Sequence, residues 1–183
     1  MSLMTQSRSS DPFDEPINLV GHSERRPKYP WEYSDGLELS EICKSYLVEI
    51  FDPSRIPAQG NNSGFDFKIK EKTYSVRYHC LSKTDRSWSF RFGKSKADSF
   101  LFFGFRDPIK PTLEFCLDLP QEKFRDRKGI TIQDDGYHLK GYSEFWIDQE
   151  SLQKMRDLMS AIENRDGSKV EELLPTTYKC HHD

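Results

Sequence analysis

An α+β fold, a mixed central β-sheet flanked by helices, is what this sequence predicts, and three features predict it. One amphipathic helix pattern comes first, a succession of strand patterns follows with no long helix between them, and a second strong helix pattern comes near the end. Helices segregated from strands in this way favour α+β over alternating α/β. The near-continuous apolar run Phe100-Leu101-Phe102-Phe103 reads as a strand covered on both faces, which places it centrally in the sheet. At 183 residues the chain is sized for one domain with a sizeable core plus tails.

Residues 1–30 are polar and proline-rich, lack the apolar segment of a signal peptide, and read as a flexible arm ahead of a single domain at 31–166. Over 36–51 the apolar residues Leu39, Ile42, Cys43, Tyr46, Leu47 and Ile50 recur at three- and four-residue spacings. That is an amphipathic helix, capped by Ser34 or Asp35 and stopped by Pro53. After the loop Gly60-Asn61-Asn62-Ser63-Gly64, Phe65, Phe67 and Ile69 alternate with polar residues, and so do Tyr74, Val76, Tyr78 and Cys80. These are two half-buried strands joined by a tight turn. The side-chain period of two puts Asp66 with Lys68 on one face, and Ser75, Arg77 and His79 on one face of the partner. Hairpin register could join them into one polar surface.

Trp88, Phe90 and Phe92 alternate with Ser87, Ser89 and Arg91 as a third strand, with Trp88 in the core. Further strands are expected at 99–105, 112–119 and 129–133, with a short helix at 120–125. Asp148 caps a final helix whose apolar stripe is Leu152, Met155, Met159 and Ile162, ended by Gly167. Residues 167–183 read as a C-terminal tail, with a short helical turn and then a loose end beyond Ser168.

No apolar run approaches membrane-spanning length, and the four cysteines are scattered without close pairing. A cytoplasmic protein with reduced thiols is expected. P-loop, dinucleotide-binding, nucleophile-elbow and paired C-x-x-C motifs are missing from the sequence. The net charge is −3, so any affinity for nucleic acid rests on how the charge is distributed. Lys68, Lys83, Arg86, Arg91, Lys94 and Lys96 crowd the central region, interleaved with aromatic residues around two turns, as in a phosphate-tracking surface; acids gather toward both ends.

The run Ile56-Pro57, then Gly60-Asn61-Asn62-Ser63-Gly64-Phe65-Asp66-Phe67, follows a glutamate-bearing helix. It precedes a hairpin, a Trp-x-Phe strand and Ala97-Asp98-Ser99-Phe100-Leu101. This layout resembles the PD-(D/E)XK nuclease superfamily, in particular its small homing-endonuclease-like and restriction-endonuclease-like members. The resemblance implies a restriction-endonuclease-like fold, DNA as partner, a homodimer as a candidate assembly and Mg²⁺ as cofactor for phosphodiester cleavage. Carried over by position, Asp66 is the metal-binding aspartate, and Glu38 or Glu41 on the first helix is the acid that would assist it. The wheel position favours Glu38 and the distance from the loop favours Glu41. Ser75 stands where the family has a second acid and Arg77 where it has a catalytic lysine. Serine is a weak Mg²⁺ ligand, and an arginine that stays protonated can clamp a phosphate but not act as a base. Three readings stay open: a Mg²⁺-dependent endonuclease, a non-cleaving nucleic-acid-binding module, and a protein-interaction domain on the same scaffold.

Overall fold

Strand β5, Ser99–Phe105, has every one of its seven residues buried. Two layers achieve this in the computed structural model, which describes residues 28–32, 38–60 and 64–179. Leu101, Phe103 and Phe105 point into a core shared with the helices, whereas Phe100 and Phe102 point into a second core with Trp88, Phe90, Phe92, Ile130 and Ile132. The strand pairs in parallel with β3 (Lys72–Cys80) and antiparallel with β6 (Leu113–Pro120). With β1 (Ile56–Pro57) and β2 (Phe67–Ile69) these form a mixed five-stranded sheet in the order β1-β2-β3-β5-β6. The chain is therefore α+β, with β5 inside the sheet as its apolar run requires.

The strand expected from Trp88, Phe90 and Phe92 exists as β4, Ser87–Arg91, but it does not join this sheet. It pairs antiparallel with β7, Gly129–Gln133, and the resulting ribbon lies across the β5 face that carries Phe100 and Phe102. Helices thus cover one face of the main sheet and a small second sheet covers much of the other. Trp88 is fully buried, and its indole N–H donates to the Phe105 carbonyl at 2.8 Å, tying the two sheets together. Gly104 makes room for this layer: a Cβ there would lie 2.3 Å from the Phe115 ring, which packs edge-on against Trp88.

The first helix is α-helical at Leu39–Glu41, π-helical over Ile42–Leu47 and α-helical again at Val48–Phe51. It buries Ile42, Cys43, Leu47 and Val48. Asp52 is extended ahead of Pro53, as expected of a residue before proline. The expected caps Ser34 and Asp35 lie outside the described residues, as do 1–27, Asn61, Asn62, Ser63 and 180–183.

The long helix Gln149–Glu163 is capped by Asp148, whose carboxylate accepts the Ser151 N–H at 2.8 Å. Leu152, Met155 and Met159 are buried as the stripe predicts, with Leu158 added and Ile162 at the margin. Gly167 does not end this helix. Arg165 takes the left-handed position at φ 52°, donating to Ile162 O while the Asp166 N–H donates to Ala161 O. Gly167 instead opens a further helix, Gly167–Leu173, at a point where a Cβ would lie 2.7 Å from the Tyr29 ring.

The segment expected as a tail therefore packs on the domain. Val170 and Leu174 are fully buried, and Thr177 donates its N–H and hydroxyl to the buried carboxylate of Glu49. On the other side Tyr29, stacked on Trp31, donates its hydroxyl to Glu171 at 2.5 Å. Periodicity carried no sign of these anchors, because each is a polar pair between distant segments. Among the described residues, no helix is long and apolar enough to cross a membrane.

Two substitutions test this packing. Gly104→Ala drives a methyl group into the Phe115 ring and lowers unfolding free energy by about 1–3 kcal/mol in urea titrations. Asp118 on β6 has its side chain 28% exposed, and burial pushes its carboxyl above the ordinary range despite Lys72 at 3.7 Å. A carboxyl raised in the folded state supports stability fully below its unfolded pKa, and that support is lost as pH rises through the folded value. Asp118→Asn should therefore melt higher than the parent at neutral pH, with the difference shrinking toward strongly acidic pH.

Candidate functional site

Asp66 sits where three segments meet. Its N–H donates to Tyr74 O at 2.8 Å and its carbonyl accepts the Ala58 N–H at 2.9 Å, so its backbone is pinned between β1 and β3. Gly64, two residues before it, has φ 75°, a left-handed turn that glycine adopts without strain. The side chain is equally occupied. Oδ2 accepts the Val76 N–H at 2.7 Å, Lys44 Nζ lies 3.5 Å from Oδ1, and the Arg77 guanidinium lies 4.0 Å from Oδ2.

These groups line an open, polar pocket of about 440 Å³, with Lys44, Gly64, Asp66, Ser75, Arg77 and Lys94 in its wall. Ser75 is 3% exposed. Its hydroxyl pairs with that of Ser95 at 2.5 Å, and Ser95 donates on to Gly64 O at 3.1 Å, so the hydroxyl pair fastens the Gly64 loop to the turn after β4. Ser75 thus acts as a brace between loops.

Arg77 is committed to three backbone carbonyls: Val76 at 2.9 Å, Arg91 at 3.3 Å and Phe92 at 3.3 Å. Its guanidinium also lies over the Phe100 ring, 5.5 Å from the centroid. The face of β3 that carries Ser75, Arg77 and His79 is therefore overlaid by β4, and His79 accepts the Ser89 N–H at 3.4 Å. The polar surface expected on that hairpin face is in large part a seam between two sheets.

Neither helix glutamate lines the pocket. Glu41 and Glu38 are exposed, with Glu41 accepting the Ser45 hydroxyl at 2.6 Å and Glu38 the Ser40 hydroxyl at 3.5 Å. What the first helix sends to Asp66 is Lys44, from the π-helical stretch. Such π segments are frequent at functional sites. Asp66 is the one carboxylate in the pocket wall among the described residues, and no group of three or more His, Cys, Asp or Glu there could hold a metal ion. A Mg²⁺ ion at Asp66 would compete with Lys44 and, among the described residues, find no second carboxylate in the pocket wall, so this donor set does not fit the metal that the resemblance implies.

The basic residues fall into two groups. Lys94 lines the pocket and Lys96 is next to it, packing its Cβ 3.6 Å from where a Gly64 Cβ would be. Lys68 is on β2 opposite Thr73. Arg91 holds Arg77 through its carbonyl, leaving its side chain exposed. Lys83 and Arg86 belong to the turn after β3, about 17 Å of strand beyond Ser75. Arg86 is moreover paired with Asp134 at 2.7 Å, an aspartate also held by Arg106.

A second basic segment, not singled out from the sequence, takes their place. Gln121 donates to Ser95 O at 3.2 Å and Phe92 to Lys128 O at 3.0 Å, so residues 121–128 lie against the pocket turn. Lys123, Arg125, Arg127 and Lys128 are all exposed there. Their crowding within six residues was the available signal.

Comparisons with protein-family models and with curated proteins gave no match.

The seam makes Arg77 a stability residue. Arg77→Met should cost about 2 kcal/mol in urea unfolding, the scale of hydrogen bonds from a charged donor, whereas Lys44→Met should stay within about 0.5 kcal/mol as an exposed pair does.

Proposed function

We propose that this chain is a DNA-binding module on a restriction-endonuclease-like, PD-(D/E)XK-type scaffold, which seats a backbone phosphate in the Asp66 pocket without cutting the strand. The observation that carries this reading is the residue that the first helix brings to Asp66, a lysine where cleavage needs another acid. Lys44, Arg77 and Lys94 surround a single carboxylate, so the pocket wall carries excess positive charge and suits an anion. Arg77 keeps N–H groups beyond those spent on carbonyls and is 30% exposed on its side chain, so it can add a charge-assisted bond to a phosphate oxygen. It cannot take a proton from water.

The scaffold reading draws on element order: a helix, the hairpin that bears Asp66, then β5 running parallel to the second hairpin strand. Phosphate contacts of this kind give affinity and position along the strand, and sequence preference has to come from other contacts.

Fluorescence anisotropy with a labelled short duplex, repeated over a salt series, tests the proposal. The parent chain should bind at low salt and weaken steeply as salt rises. Lys44→Ala and Lys94→Ala should each weaken binding and lower the slope of log K against log salt by about 1. Supercoiled plasmid incubated with the chain and Mg²⁺ or Mn²⁺ should stay intact. Nicking that disappears in Asp66→Ala would restore the metal-dependent nuclease, and no binding at low salt would leave a protein-interaction scaffold.

A further inference from the structure

A cleft of about 690 Å³ opens between residues 123–127 and 137–145, and its lining is mainly aromatic and cationic. Phe124 and Phe145 form one wall, with ring centroids 5.5 Å apart in an edge-on contact, and Tyr142 packs beside Phe145 at 6.4 Å. Tyr137 stands at the rim, 79% exposed, its one ring contact among the described residues an edge-on approach to His138. What is informative is that this exposed ring lines the same cleft as Phe124, Tyr142 and Phe145, since contiguous apolar patches mark binding sites.

The rim is held rigidly. Gly136 takes φ 70° to turn the chain out of β7, and Asp135 then fixes the next two residues. Its Oδ1 accepts the Tyr137 N–H at 3.0 Å and the His138 N–H at 2.9 Å, and its Oδ2 lies 2.6 Å from the His138 ring nitrogen. These bonds draw the Asp135 carboxyl below its ordinary range, the His138 N–H first among them. Tyr137 is therefore displayed from a braced turn, which reduces the entropy lost when something stacks on it.

Cations outnumber the one acid, Glu144, in the lining. Lys123 lies over the Phe145 ring at 5.1 Å and is balanced by Glu144 at 3.4 Å. Arg127, over Phe124 at 5.8 Å, and Lys140 form no ion pair among the described residues. Aromatic faces beside uncommitted cations are what an unpaired base and its phosphate require.

Building on the DNA-binding reading, we infer that this cleft takes an unpaired base of single-stranded DNA, stacked on Tyr137 against the Phe124 and Phe145 wall, with its phosphate at Arg127 or Lys140. The two sites are neighbours. Phe124 packs on Phe92 at 6.0 Å, and the Phe92 carbonyl holds Arg77. A strand leaving the pocket at Lys94 can cross residues 121–128 and reach the cleft.

The test compares an oligothymidylate of about 15 nucleotides, the upper range for one binding surface of this type, with a blunt duplex of the same length. A single 2-aminopurine in the strand reports stacking. The parent chain should quench the 2-aminopurine and bind the single strand. Tyr137→Ala should lose the quenching and weaken single-strand binding roughly 5- to 150-fold, with duplex affinity unchanged. Tyr137→Phe should keep both, and Lys140→Ala should lower the single-strand salt slope by about 0.7. Single-strand affinity and quenching that survive Tyr137→Ala and Lys140→Ala would overturn the inference, as would equal weakening of the duplex. Duplex binding that depends on Lys44 with no Tyr137-dependent single-strand binding sinks the inference alone. The converse pattern sinks the phosphate-pocket reading alone, and binding of neither probe sinks both.

Discussion

A strand with phenylalanine pointing both ways cannot rest on one layer, and that constraint on β5 organises this molecule. Since side chains alternate across a sheet, Leu101, Phe103 and Phe105 need one cover, and Phe100 and Phe102 need another. The helices meet the first need. No helix is available for the second, because the connection from β3 to β5 is spent on β4 and its flanking turns. The chain instead lays β4 over the exposed rings and closes its backbone with β7, which comes only at Gly129–Gln133. Each aromatic residue buries enough apolar surface to contribute about 1.5–3 kcal/mol, so leaving that face open would forfeit a large part of the core.

The polar residues around Asp66 follow from the same layering. Once β4 covers β3, every polar group on the covered face needs a partner, since a buried unpaired one costs about 1–3 kcal/mol. Ser75 finds Ser95, His79 finds Ser89, and Arg77 finds the carbonyls at the end of β4. The pocket is the mouth of this seam, where the turn after β4 meets the loop before β2. Its cations Lys44, Arg77 and Lys94 line one open pocket around Asp66.

Most elements were legible in the sequence because their periodicity is strong and their boundaries are marked by Pro53, Asp148 and the glycine-rich loop. The partner of β4 was not, since alternating Trp88, Phe90 and Phe92 read alike whether a strand sits in a sheet or on top of one. The sequence left Glu38 and Glu41 both open, and neither lines the pocket, for a more specific reason. A wheel drawn at 3.6 residues per turn loses phase across the π-helical Ile42–Leu47, so it could not show that Lys44 faces Asp66. Gly167 looked like a helix stop, but its missing side chain serves Tyr29, and Arg165 bears the left-handed turn.

In the proposed reading Asp66 organises cations and a backbone N–H in place of a metal ion. Duplex affinity of Asp66→Asn, measured against the parent in EDTA and again in Mg²⁺, tests it directly. The asparagine oxygen can still accept the Val76 N–H, while one negative charge leaves the pocket. Binding by the variant should be as tight as the parent's or tighter, with the same small response to Mg²⁺ in both proteins. Mg²⁺ that strengthens binding by the parent, with the gain lost in Asp66→Asn, would contradict the account.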